Sequence, residues 1–383
     1  MRGFNHTYDG ENLYHSIEYA QYDSLQLGMY IDANKYLIRI EEAVSNQITA
    51  HEGRLESWKK AEGRAWEQYR MYARQLIETY NTAPYFTRYS MPEAYLCLYA
   101  NHENDSSNGQ PIRHTECHPD AGSISDKTRL NFPHSVLRND LPDGRMNYAA
   151  LSESGATLVT GLSAAKTYAD QKGVNGTEGM ILKMCIDRLG QLSKDLRERK
   201  GTMSYVKHAV KMFQEILLGI KDLAEEVKPH GFQCYNKKSC PIMKDKKSFE
   251  RIRKQVLKGH LRTATIIQRN DMVQSPATPT LLFMPSYEIY GHVLLLLDLN
   301  WKAKHMFENS LLERMGRVQS IVGLARAHAM LGNIKEATYF YTYLKNQLKN
   351  ADDYNPFVAE ANSWYNSDGN STILQGQWHW PYL

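Results

Sequence analysis

The densest group of metal-ligating side chains is His114, Cys117 and His118, with Asp120 two residues on. Two histidines four apart with a thiol between them could open a zinc site. Such a site takes about four ligands, so Cys234, Cys240 or His102 would have to join from a distance. No second CxxC or HxxxH unit supplies them. The first Cys of a haem-attachment CxxCH is missing as well. The group therefore reads as a polar loop, with a metal centre as the alternative. Cys234 and Cys240 could bridge a loop in an oxidising compartment, or stay reduced. Cys185 falls on the apolar face of a helical pattern and reads as a buried, inert thiol. From Lys237 to Arg262 the chain holds ten Lys or Arg against Asp245 and Glu250. An acidic partner or nucleic acid could dock there, but the inward positions stay apolar, which reads as a solvated outer face. There is no Gly-rich phosphate loop, no GxSxG and no HExxH. No catalytic residue and no cofactor is assigned, and the expectation leans away from an enzyme.

Composition narrows the classes further. The net charge of +4 over 383 residues is too mild to point to nucleic acid. No apolar run reaches 18 residues, so no membrane span is expected. Five cysteines and no visible leader at Met1–His6 fit a reduced, cytoplasmic chain. Secretion becomes the alternative if a leader precedes this sequence.

The elements that would position any site are helical. Leu182, Cys185, Leu189, Leu192 and Leu196 recur at three- and four-residue spacing, as do Val206, Val210, Phe213, Leu217, Ile220 and Ala224. The run 246–270 continues the pattern. Trp66, Tyr69, Ala73, Leu76 and Tyr80 suggest another helix, and 93–99 a short one. Beyond these, residues 101–147 are rich in Asn, Asp, Ser, Gly and Pro and carry no period.

Residues 285–348 repeat themselves with a period of 34. Ala303 falls on Ala337, Phe307 on Tyr341, Leu297 on Leu331 and Tyr290 on Leu324. Small residues (Gly291, Ala325) alternate with large ones, which lets two helices approach closely. Residues 13–40 form a third copy, with Ala33 on Ala303 and Leu27-Gly28 on Leu331-Gly332. A fixed period of this length marks a stacked repeat. The stretch resembles tetratricopeptide-repeat proteins, and the wider layout is similar to uncharacterised bacterial-type members.

The resemblance implies an all-α fold, an α-α superhelix of tetratricopeptide-like hairpins with one irregular insert. Its parts would be N-terminal helices over 1–100, the insert at 101–147, a second array over 148–350, and an aromatic capping tail at 351–383. It also implies a concave groove lined by fixed positions of each first helix: Glu18, Tyr22, Glu288, His292, Gln319 and Arg326. Glu18 and Glu288 share one repeat position, Tyr22 and His292 another. The Lys/Asn carboxylate clamp of chaperone-binding members is absent there. The expected function is a non-catalytic adaptor that holds a protein or peptide segment in this groove. The alternative is a metal-dependent or enzymatic protein using the 101–147 insert.

Overall fold

The structure is a computed structural model. It describes residues 10–50, 71, 177–199, 202, 204–227, 245–271, 285–353 and 355–366, with single positions between 150 and 168. At 10–15, 41–50, 177–178, 227 and 270–271 it describes the backbone alone. The insert, Cys234, Cys240 and the tail aromatics Trp378, Trp380 and Tyr382 lie outside the described residues.

Helices α1 (Gly10–Gln26) and α2 (Tyr30–Ala50) form an N-terminal hairpin. Helices α3 (Thr177–Glu198) and α4 (Ser204–Val227) pack together. Then come α5 (Lys246–Lys258) and α6 (His260–Asp271), both against α4. The closing run is α7 (Ser286–Leu296), α8 (Asn300–Glu313), α9 (Val318–Met330), α10 (Ile334–Gln347) and α11 (Pro356–Asn366). Each of these packs on its neighbour in sequence, and α7 also touches α9. Among the described residues there is no strand.

The amphipathic patterns of α3 and α4 hold. Leu182, Cys185, Leu189, Leu192 and Leu196 are buried, as are Val206, Val210, Phe213, Leu217, Ile220 and Ala224. The run 246–270 is helical, and it divides into two helices at Gly259, which adopts extended backbone at φ −89, ψ −159. Glycine favours helix least among the non-proline residues, so the apolar period alone did not hold the helix together.

The three proposed copies share one turn. At the end of the first helix, the N–H groups of Met29, Leu299 and Asn333 donate to the carbonyls of Ser24, Leu294 and His328, each at 2.9 Å. The preceding residues, Gly28, Asp298 and Gly332, all take positive φ, at 70°, 55° and 76°. This is the Schellman pattern that satisfies the last carbonyls of a helix. Ala33, Ala303 and Ala337 each sit in the first turn of the second helix, and all three are fully buried. Repeat register and hydrogen bonding therefore agree at all three hairpins.

Burial divides the closing helices into an inner and an outer set. Every residue of α7 is buried, and so is α9 from Val318 to Ala329. By contrast α8 buries only Asn300, Ala303, Phe307 and Ser310, and α10 only Ala337, Tyr341 and Leu344. A helix covered on all sides needs apolar or fully paired side chains all round. Phe307 joins the sets: a Cβ on Gly291 would come within 2.7 Å of its ring, and one on Gly323 would overlap it. Full burial of such a ring contributes about 2–3 kcal/mol.

In the tail, α11 packs on α10 and buries Phe357, Ala361 and Trp364. The Trp364 ring stacks on Tyr341 at 5.0 Å, and its Nε1 donates to Thr338. The N-terminal hairpin does not lie at the far end of the array from this tail. Its turn at Gly28 meets Leu348, Ala351 and Asn355.

Candidate functional site

The six groove residues do not sit on an accessible surface. Glu18, Tyr22, Glu288, His292, Gln319 and Arg326 are all buried, the most exposed being Tyr22 at 8 %. Repeat position places their backbones on the first helix of each pair. It says nothing about what lies over them.

Buried charge must be paired, and here it is. Both oxygens of Glu288 on α7 accept from Arg317, Oε2 from Nε at 2.8 Å and Oε1 from Nη2 at 2.7 Å. The Ser320 hydroxyl donates to the same carboxylate at 2.6 Å and lies 2.8 Å from the Ser310 hydroxyl. One unit on, Arg326 of α9 forks onto Glu360 of α11, Nε to Oε1 at 2.9 Å and Nη2 to Oε2 at 2.6 Å. The Tyr341 hydroxyl adds a third donor to Glu360 at 2.9 Å. Bidentate, charge-assisted bonds of this kind are the strong ones.

His292, Arg326 and Glu360 occupy one repeat position in three successive units. The His292 ring sets its edge against Phe307 at 4.9 Å, where the next unit has Tyr341. Burial, followed by the nearby Arg326 charge, holds the His292 pKa well below the usual imidazole range. Burial and then the Glu360 charge hold the Tyr341 phenol well above its ordinary value. Neither group is poised to exchange protons near neutrality. Both glutamates are committed to arginines, so the arrangement works as a charged spine between repeat units.

Glutamine side chains from other helices cap the two inner helices. Gln268 of α6 accepts from the Ser286 N–H and hydroxyl at the start of α7, each at 2.6 Å, and its amide donates to Glu313. Gln26 of α1 accepts from the Val318 N–H at the start of α9, at 3.0 Å. Neither Pro285 nor Arg317, the residues before these helices, makes a side-chain cap. Elsewhere, Glu215 on α4 holds His260 at 2.6 Å and Lys211 at 2.8 Å.

The outer helices present a different chemistry. Trp301 on α8 is 55 % exposed, and Tyr339 and Tyr343 on α10 are 63 % and 46 %. The Lys304 ammonium lies 4.8 Å from the Trp301 ring centre, and His305 packs edge-on to the same ring. The charge of Lys304 also reaches His328, which stacks on Phe340, and Phe340 meets Tyr339. These contacts join aromatic rings and cations across two hairpins.

Sequence reasoning missed Arg317 and Glu360. Glu360 lies one period past Arg326, so carrying the repeat beyond Leu348 would have found it. Arg317 sits in a turn and leaves no periodic signal. Cys185 is buried, and burial pushes its thiol up to about 12, which makes it inert. His114, Cys117 and His118 lie outside the described residues. Among the described residues no group of three His, Cys, Asp or Glu could hold a metal ion, and no helix is long and apolar enough to cross a membrane. No protein-family model, curated protein or solved structure matches the chain.

Proposed function

We propose that this chain is a non-catalytic scaffold of tetratricopeptide-like hairpins that binds a protein segment on the outer faces of α8 and α10. One observation carries the reading, the distribution of exposure. The inner groove positions are buried, with Glu288 and Arg326 held in ion pairs, whereas Trp301, Tyr339 and Tyr343 stand out into solvent. Aromatic rings with a flat, rigid face are the side chains most enriched at the energetic centres of interfaces. The same two helices carry Lys302, Lys304 and Lys335, with Glu308 and Glu336 among their acids, and Lys304 pairs with Glu308 at 3.4 Å. That balance favours a partner segment carrying acidic and apolar side chains.

The test is affinity capture with the purified full chain, comparing wild type, Trp301→Ala with Tyr339→Ala, and Tyr205→Ala on α4. Partners retained by wild type and by Tyr205→Ala, but lost by the double variant, support the outer surface. The same partner list from all three would sink it. Substitution of Glu288 or Arg326 reports on folding instead, because each removes half of a buried ion pair.

A further inference from the structure

We propose that the tip of the α1–α2 hairpin and the edge made by residues 316–318 and 347–355 form an intramolecular clasp. The edge is a receptor for the tip of a helical hairpin, and its occupant is the chain's own segment 26–31.

Four hydrogen bonds cross the junction, and they run in both directions. The Gln26 side-chain carbonyl accepts from the Val318 N–H, which belongs to the first residue of α9. In return, the Asp352 carboxylate accepts from the Ile31 N–H at 3.0 Å, in the first turn of α2. Each side thus caps a helix of the other across 292 and 321 residues of chain. The first amides of a helix have no partner inside it, so these caps satisfy donors that the local sequence leaves open. Arg317 supplies no side-chain cap to α9, and the Met29 side chain beside α2 has no strong acceptor. A carboxylate at the start of α2 also suits the positive end of the helix dipole.

The other two bonds tie the backbones. The Asp352 N–H donates to the Gly28 carbonyl at 3.1 Å. The Gln347 amide donates to the Gln26 carbonyl at 2.9 Å and to the Gly316 carbonyl at 2.6 Å, so one side chain holds both walls. The fit requires glycine at the tip. A Cβ on Gly28 would lie 2.5 Å from Asn355 Nδ2 and 2.8 Å from Ala351 Cβ. Gly332 has the same backbone conformation at the equivalent turn, yet a Cβ there would meet nothing. Gln26 also does for α9 what Gln268 does for α7, accepting from the first amide of the helix with a side chain that comes from another helix. The clasp opens and closes as one unit, because its bonds share Gln26, Gln347 and Asp352.

Hydrogen exchange of the full chain tests this, read by mass spectrometry on fragments spanning 316–322 and 29–34. Asp352→Ala removes the bond to Ile31; the clasp predicts about tenfold faster exchange at the start of α9 as well. Gln26→Leu removes the bond to Val318 and speeds exchange at the start of α2 to a similar degree. Gly28→Ala wedges the junction and accelerates both fragments, whereas Gly332→Ala accelerates neither. If Asp352→Ala and Gln26→Leu each change only the fragment that lost its own bond, the junction is a set of independent contacts and the clasp is overturned.

Discussion

Arg326 and Glu360 are 34 residues apart, stand at the same position of successive repeat units, and join through two parallel hydrogen bonds with both side chains buried. The repeat period has thus been used to line up opposite charges, so that one unit supplies the guanidinium and the next the carboxylate. Two ions taken out of water lose hydration worth several kcal/mol each, and only close geometry returns it.

Breaking this pair leaves a buried ion alone. Glu360→Ala and Arg326→Ala are each expected to lower stability by about 3–5 kcal/mol, measured by urea denaturation. The double variant Arg326→Met with Glu360→Met should cost clearly less than the sum of the single Met substitutions, since no unpaired charge remains. Additive single values would show that the two residues are not coupled.

His292 sets a dependence on pH. Its folded pKa lies well below the usual value, so the folded chain keeps the ring neutral. Above about pH 6.5 the unfolded chain holds it neutral too, and the contribution of His292 to stability is fully present. As pH falls below that value the unfolded chain takes up a proton that the folded chain refuses. Stability then falls by up to about 1.4 kcal/mol per pH unit. His328 is also shifted down by burial and adds to the slope. Denaturation of wild type and His292→Gln at pH 7.5 and 5.5 isolates the term. Wild type should lose more stability than the variant on acidification, by up to about 1.4 kcal/mol.

The repeat was legible because its physics is local. Small residues at Gly291 and Ala325 and aromatic residues at Phe307 and Tyr341 recur at 34 residues, and the Leu-Gly turn signal at Gly28 and Gly332 stands at the same place within its copy. Asp298 holds the same turn position without glycine, and residue type gave no sign of it. The ladder of charges was half legible. Glu288 and Arg326 were placed on the right helices, but a position on the first helix of a pair can face water or a neighbouring element, and only packing decides. Arg317 and Gln26 left no pattern at all, since Arg317 sits in a turn outside the periodic helices and Gln26 meets Val318 across most of the chain.

The two glycines at equivalent turns should separate backbone strain from fit. Gly332→Ala keeps a positive φ with open space around the new methyl, and should cost about 1–2 kcal/mol. Gly28→Ala carries the same strain and also drives a methyl into Ala351 and Asn355. Overpacking of that kind adds about 1–3 kcal/mol. Thermal or urea unfolding measures both, and equal losses would mean that the turn at Gly28 is not packed against the 348–355 segment.

Phe307 gives the sharpest packing test, because two inner helices close on one ring. A methyl on Gly323 would overlap the ring and one on Gly291 would press against it, so the ring sets how closely α7, α8 and α9 can approach. Gly323→Ala is expected to cost about 1–3 kcal/mol in the wild-type background, since neither helix backbone can retreat without opening the core. Phe307→Leu leaves a cavity and costs a similar amount by itself. Combining the two lets the new methyl enter space that the smaller side chain has vacated. The cost of Gly323→Ala should then drop below about 1 kcal/mol, read from urea denaturation of the four proteins in the cycle. An undiminished cost in the Phe307→Leu background would mean that the backbone of a neighbouring helix, and not this ring, excludes a side chain at position 323.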